Sequence, residues 1–543
     1  MPVVKLNKKR LENLVDENID TILENIPMLG ADIEREKREE VDIEFFPNRP
    51  DLFSAEGIAR AMRGFLDKET GLSNYHINDS NTTLKVKDSV KSVRPNISAA
   101  VIRDLSLSEE DINSLVNLQE HLHWGLGRDR KKVSIGLHDL KKIEQPFTYK
   151  AVDPTRIEFK PLGHEQKMNL NEILNKHKKG QKFGDIIKDK KKYPIIQDKN
   201  KEILSFPPII NGVLTEVDTD TNEIFIDVTG TDKKAVNEAL NIIATSLAEI
   251  GGEIHSVKRD NKKEKTPNLE PRVKKLDNQE VKELTGLDIS ERETIDCLRR
   301  MRYGAKSSEE GVYVEIPAYR SDILHKWDLI EDVAIGYGYD NIEPQIPNVQ
   351  GIGNTHPIEK LGDKAREIMT GLGYREVMTL TLTNREKEYD KVNRKVNDSV
   401  SIKNPISEEH TIFRATLLPS LLPILEINQH RDLPQKIFEF GEVEHLTKKF
   451  AKDCYHLSGV SLHADAGFTE VKSIIEAIFC EFGIDYGLKN SDDKLFLEGR
   501  RGEIIFEKEK IGVFGEISPD VLKRFDLEHP CVGFEIEIEK LIR

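Results

Sequence analysis

Residues 319–339 read YRSDILHKWDLIEDVAIGYGY, and how this stretch is read decides how the chain is divided. From Asp328 onward, apolar Leu329, Ile330, Val333, Ala334 and Ile335 recur at helical spacing. Asp328, Glu331 and Asp332 stand at i, i+3 and i+4, so a helix carries all three on one face. Asp322 precedes the helix closely enough to fold back onto them. Like charges on one face repel, and a hard divalent cation with oxygen ligands would offset them. The same pattern also describes a solvated helix start, where the dipole favours Asp and Glu. Spacing alone leaves both readings open.

Working outward, VYVEIPAYRSDI reads as a strand leading into the carboxylates. Before it, NQEVKELTGLDISERETIDCLRRMRYGA reads as two short helices joined by GLDIS, with Ser290 a fair cap for the second. Helix, turn, helix, strand and helix suggest a small winged or helix-turn-helix-like module over residues 268–345. Residues 90–262 carry alternating β-branched runs with turn breakers, then the amphipathic helix DKKAVNEALNIIATSLAEIGG, and so read as an α+β or α/β domain. In IFIDVTGTD, Asp227, Thr229 and Thr231 share a face if the strand continues. Residues 1–85 form a helix/strand module: LNKKRLENLVDENIDTILENIPMLG has helical spacing up to Gly30, VDIEFF is a strand, and Asp51 or Ser54 caps AEGIARAMRGFL. Arg49 in PNRPD has a turn-fixing role. Residues 350–543 alternate helices with long antiparallel-looking strands, YREVMTLTLT and KIFEFGEV among them. The fold class is therefore α+β, multidomain.

Composition narrows the function. Of 543 residues 37% are apolar and 33% charged, enough for several packed cores and too apolar for disorder. Lys plus Arg is 81 and Asp plus Glu is 96, a formal charge of −15, which argues against a chain that coats nucleic acid throughout. Local basic patches remain, at RDRKK (128–132), KHKKG (176–180) and KDKKK (188–192), each readable as a solvated lysine surface. The four cysteines are far apart, which fits reduced thiols in a cytoplasmic protein rather than a zinc site or a disulfide framework. No apolar run is long enough to span a bilayer, and the N-terminus turns charged too soon for a secretory signal.

Some chemistry is absent. The dipeptide Gly-Lys does not occur, so there is no phosphate-binding loop of the Walker type, and no HExxH or zinc spacing appears. GLGYRE and GYGYDN follow helices and read as helix stops. His121 and His123 of HLHW read as packing or surface residues.

VDIEFFPNRPDLFSAEGIARAMRGF, LSFPPIING, FIDVTGTD and PAYRSDILHKWDLIEDVAIGYGYDNI occur in this order. Together they resemble the family of phenylalanyl-tRNA synthetase β subunits, of the archaeal/eukaryotic cytosolic type, over essentially the whole chain. The resemblance implies a heterotetramer of two α and two β chains, with ATP and phenylalanine bound by the α chain and tRNA(Phe) as the shared substrate. It implies a C-terminal domain with the class II synthetase catalytic fold but without the aminoacylation residues. KIFEFGEV offers Glu439 and Glu442 but no arginine, and no Gly-x-Gly-x-x-Arg follows, so this domain should pack on the α chain, with LLPSLLPIL as a candidate face. The resemblance makes residues 90–262 an editing domain that hydrolyses tyrosine wrongly attached to the tRNA. Asp227 and Thr229 fall where the family reads its substrate. Ser205 is a weaker match, and Asn211 is added from its polarity and placement. No Ser-His-Asp order stands out, so water is the expected attacker. For Asp322, Asp328, Glu331 and Asp332 the resemblance implies Mg²⁺ shared with the α chain. The competing readings are a stand-alone tRNA-binding scaffold and a trans-editing hydrolase.

Overall fold

The computed structural model describes residues 2–542 apart from 260–263, 310, 349–350 and 397–398. The expected boundaries at 262 and 350 lie outside the described residues. The chain forms two compact units, Met1–Ile346 and Pro347–Arg543. Both are mixed α/β, and the chain holds several separate sheets.

In the first unit a strand, Val3–Asn7, precedes the helical stretch that sequence reading took as continuous. That stretch breaks into Lys8–Val15 and Ile19–Asn25, because Asp16 adopts a left-handed backbone (φ 61°) and Asn18 caps the second helix. Arg49 makes a double hydrogen bond to Asp51 at 2.9 Å per contact, both residues buried, and so fixes the PNRPD turn. Ser54, not Asp51, caps the helix Ala55–Phe65. One apolar core runs from Leu6 and Val15 through Ile58 and Met62, under Leu240 and Ile243, to Leu298 and Val333. The N-terminal segment and the acidic segment are thus packed on the same helices as the middle segment.

The middle segment is built on a large sheet. Its strand Ile224–Gly230 lies between Asn96–Arg103 and Val133–Asp139, antiparallel to both. Every residue of Ile224–Gly230 is buried, because helix Lys233–Ala248 packs on one side of the sheet and a second apolar cluster with Phe147, Tyr149 and Phe225 on the other. The strand stops at Gly230. Thr231 is exposed and does not join Asp227 and Thr229 on a strand face. The acidic segment contains helices Asn278–Thr285 and Glu291–Arg300, a three-stranded sheet, and helix Lys326–Tyr337. Ser290 caps the second helix, as its spacing predicts.

The second unit is a seven-stranded sheet with helices on both faces. Strands Gln435–Leu446, Ala451–Leu462, Cys531–Ile536, Glu509–Ile517 and Phe496–Phe506 are antiparallel neighbours in that order. Adjacent residues divide between two cores: Phe438 packs with Phe479 and Phe534, Ile437 with Leu421 and Val460. Two expectations fail here. YREVMTLTLT is not one strand. It pairs only at Arg375–Glu376 and Leu382–Thr383, because Thr379 turns to the Glu439 carboxylate instead of a strand neighbour. LLPSLLPIL is not a free face: Leu418, Leu421, Leu422 and Leu425 are buried in this unit's own core. Glu439 does meet an arginine, brought from outside its strand. Arg414 donates to it at 2.8 Å, with both side chains buried.

Candidate functional site

The cavity of interest lies in the middle segment and holds about 580 Å³. Asp227, Ser205 and Asn211 all line it. The pleat explains how. Ser205 pairs with Asn211 across two short strands, while Asp227 projects from the central strand opposite Gly136. Thr229 shares Asp227's face but stands outside the lining. Its hydroxyl accepts from Arg94 Nε at 3.0 Å and contacts Ser134 Oγ at 2.9 Å, and Ser134 is the residue that reaches the cavity.

Asp227 is nearly fully buried, and its Oδ2 lies 2.7 Å from His138 Nε2. Gly136 makes this approach possible. A Cβ there would collide with Asp227 Oδ2 and stand 2.7 Å from His138 Nε2. Ser205 is 2% exposed, yet its hydroxyl has no hydrogen-bond partner among the described residues. A buried hydroxyl left unmade costs about 1–3 kcal/mol, so one aimed into a cavity points to a ligand that completes it.

Sequence reading missed three further groups in this cavity: Glu120, His123 and Arg130. Arg130 reaches it from a turn in which Arg128, Asp129 and Arg130 all have positive φ (46°, 52° and 66°), a conformation that non-glycine residues rarely adopt. Its guanidinium donates to the Pro208 and Ile209 carbonyls at 3.2 and 2.9 Å and to Glu120 at 2.7 Å. It thereby ties the Pro207–Ile209 wall to helix Glu109–Trp124. Ile135 N–H donates to His123 Nε2 at 2.8 Å, so that nitrogen is unprotonated. Burial pushes the His123 imidazole down to about 4, and it is neutral at physiological pH. The signal that could have flagged Arg130 was the basic run 128–132, read as surface; His123 stood in HLHW, read as packing or surface, and nothing in the sequence flagged Glu120. The run at 176–180 is likewise placed: Lys176, Lys178 and Lys179, with His164 and His177, form the cavity's rim. A pocket of buried polar groups with a cationic rim can hold a small polar moiety attached to a polyanion.

The four carboxylates around helix Lys326–Tyr337 are neighbours but are used differently. Asp328 caps the helix, its Oδ2 accepting from Leu324 N and His325 N at 2.7 and 2.6 Å. Asp332 is buried and accepts from the Tyr303 hydroxyl. Arg320 Nη2 bridges Asp332 and Asp322 at 2.5 and 2.7 Å. These carboxylates and Tyr303 outweigh the effect of burial and hold the Arg320 guanidinium far above its ordinary value. Glu331 is raised, first by burial and then by Asp332, Asp328 and Asp322 in turn. Among the described residues no three His, Cys, Asp or Glu side chains converge as a ready cation cage. The donor chemistry nevertheless suits a hard ion: all four groups are carboxylates, and Glu331 sits in the field of the other three. Exposed Leu324 and Trp327 flank the cluster.

Known proteins match the chain along its whole length. The B3/4 domain family matches residues 80–246, which contain the cavity. The tRNA synthetase B5 domain family matches 274–339, which contain the carboxylates, and the phenylalanyl tRNA synthetase beta chain CLM domain matches 342–538. The phenylalanine–tRNA ligase beta subunit of Methanosarcina barkeri is 49% identical, with 100% of this chain and 99% of that protein covered. That of Archaeoglobus fulgidus is 45% identical, over 99% and 98% of the two chains. Among solved structures, an N-terminal fragment of the phenylalanyl-tRNA synthetase beta subunit from Pyrococcus horikoshii superposes with TM-score 0.60 at 37% identity, covering 62% of this chain and all of the fragment. With three domain families in register and full-length identity near one half, this chain belongs to the phenylalanine–tRNA ligase beta subunit family.

Proposed function

We propose that the chain works with an α partner, as two α and two β subunits, to attach phenylalanine to tRNA(Phe), with ATP and phenylalanine bound by α in the cytoplasm. In this reading residues 1–85, 90–262, 268–345 and 350–543 are an N-terminal module, the editing domain, a winged or helix-turn-helix-like metal-bearing domain and a class II-like domain without aminoacylation residues. The editing cavity takes the tyrosyl group of mischarged tRNA. Water attacks the ester carbonyl, the ester C–O bond breaks, the ribose oxygen takes the proton, and free tyrosine leaves. The observation that carries this is the cavity itself: Asp227, Ser205 and Asn211 face one space, and a lysine rim lies at its mouth. Asp227 accepts a hydrogen bond from the phenol hydroxyl through a carboxylate oxygen. A site built to hydrogen-bond a hydroxyl rejects the analogue that lacks it far more strongly than a greasy pocket can.

Mg²⁺ fits the acidic cluster by donor type. Asp322, Asp328, Glu331 and Asp332 would hold it, and its charge would offset the crowding around Glu331. Its place beside exposed Leu324 and Trp327 supports an assembly role rather than a catalytic one.

The test is the chain co-purified with an α partner. Asp227→Ala should lose tyrosyl-tRNA deacylation while the complex still charges phenylalanine. Unchanged deacylation removes Asp227 from the site. A pair that forms no complex and charges no tRNA overturns the whole reading.

A further inference from the structure

His138 is fully buried and clamped from both sides. Its Nδ1 lies 2.7 Å from Thr215 Oγ1 and its Nε2 lies 2.7 Å from Asp227 Oδ2. The register explains the second contact. Asp227 pairs with Gly136, and His138 is the next residue on that face of the neighbouring strand, directly opposite Phe225. With no Cβ at 136, the imidazole lies across the gap and reaches the carboxylate diagonally. One tautomer satisfies both contacts: Thr215 O–H, which lies 3.4 Å from the Gly212 carbonyl and closer to the ring, donates to Nδ1 at 2.7 Å, and Nε2–H donates to Asp227. That leaves Asp227 Oδ1, which has no hydrogen bond among the described residues, as the oxygen offered to the cavity.

We propose that His138, its tautomer set by Thr215, is a positioning residue that fixes Asp227 as a hydroxyl acceptor and so sets the preference for tyrosyl over phenylalanyl ester. This rests on the editing reading above. His138 does not line the cavity and touches no substrate. It acts by holding one carboxylate oxygen so that the other faces the phenol. Without it, Asp227 can rotate or be hydrated, and the hydroxyl loses its acceptor. Thr215 matters because without its proton on Nδ1 the ring can adopt the opposite tautomer. A lone pair would then face the carboxylate.

The experiment measures kcat and KM for hydrolysis of tyrosyl- and phenylalanyl-tRNA by the chain co-purified with its α partner. His138→Leu should lower kcat/KM for tyrosyl-tRNA roughly ten- to a hundred-fold, chiefly through KM, and leave phenylalanyl-tRNA hydrolysis where it is. His138→Gln should restore much of the ratio, since its amide can donate to Asp227. Thr215→Val should give an intermediate loss and Thr215→Ser almost none. Equal losses on both substrates, or an unchanged ratio in His138→Leu and Thr215→Val, overturn the proposal while the editing reading stands. If His138→Leu fails to charge tRNA because it does not fold, Thr215→Val decides: a lowered ratio supports the proposal and an unchanged one overturns it. A wild-type complex that hydrolyses neither ester removes the editing reading and this inference together.

Discussion

Glu388 in the second unit makes stability depend on pH in an unusual direction. Its side chain is buried, and one oxygen accepts from Ala415 N, Thr416 N and Thr416 Oγ1 at 3.0, 2.9 and 2.8 Å. The other oxygen is buried with no partner among the described residues. Burial, with Glu535 nearby, raises the carboxyl from 4.5 to about 7 despite the bonds from Thr416 and the charge of Arg394. The folded chain therefore binds this proton more tightly than the unfolded chain does. The stability it contributes is complete below about pH 4.5, falls as pH rises towards 7 and is gone above that. The difference amounts to about 3 kcal/mol. Glu388→Gln keeps the accepting oxygen and cannot ionise. Unfolding of the full chain should be followed by denaturant titration at several pH values between 5 and 8.5. The variant should exceed wild type by no more than about 1 kcal/mol near pH 5 and by about 3 kcal/mol at pH 8.5 in the transition of the C-terminal unit. A wild-type-minus-variant difference that stays flat across this range refutes the assignment of a buried, proton-holding carboxyl.

Gly136→Ala places a methyl group against Asp227 and His138, so tyrosyl-tRNA deacylation should fall to background while phenylalanine charging by the complex persists; persistent deacylation would show that the Asp227 geometry is not needed. Lys178→Ala with Lys179→Ala should raise KM for mischarged tRNA and reduce the salt slope of binding by about 1.4, the single-strand value for two phosphate contacts, as measured by filter binding. Asp328→Ala with Glu331→Ala should weaken assembly or metal retention more than it alters amino-acid specificity. Elemental analysis of the purified complex would settle this, and equal metal content in the variant would remove the metal assignment.

Motifs carried by consecutive residues were legible in the sequence, and those completed from a distance were not. Ser290 capping a helix, Arg49 fixing its turn and the strand Ile224–Gly230 each depend on neighbours a few residues away, although the partner of Arg49, Asp51, had been offered as a helix cap. The strand position of Asp227 was legible for that reason, while its candidacy as a site residue came from the family resemblance. His138 was not. Its significance comes from a cross-strand diagonal past Gly136 to Asp227, 89 positions away, and from Thr215 on a third element. Arg130 was hidden as well, because a basic run looks the same whether its turn faces solvent or folds into a left-handed arc that delivers one guanidinium to a cavity. LLPSLLPIL failed in the other direction. Apolar residues at helical spacing say that a face is covered, and not by what.

The acidic run shows why charge spacing alone could not choose between a metal site and a solvated helix start. Three of its four carboxylates already have work inside the chain: Asp328 caps a helix, while Asp322 and Asp332 share Arg320. Arg320 is itself buried and supplies positive charge that a cation would otherwise bring. Yet one guanidinium against four carboxylates leaves the cluster net negative, and Glu331 is raised, first by its partial burial and then by the other three carboxylates. A solvated helix face would spread such charge into water, whereas here two of the four groups are buried or nearly so and fixed by hydrogen bonds. The arginine therefore does not neutralise the cluster. It orients Asp322 and Asp332 while the remaining charge is left at Glu331, beside the exposed Leu324 and Trp327 that a partner chain would cover. If a cation binds here and a partner chain docks over these side chains, as proposed above, the two events should be coupled, because covering the apolar side chains also takes the excess negative charge out of water, where an ion is needed most.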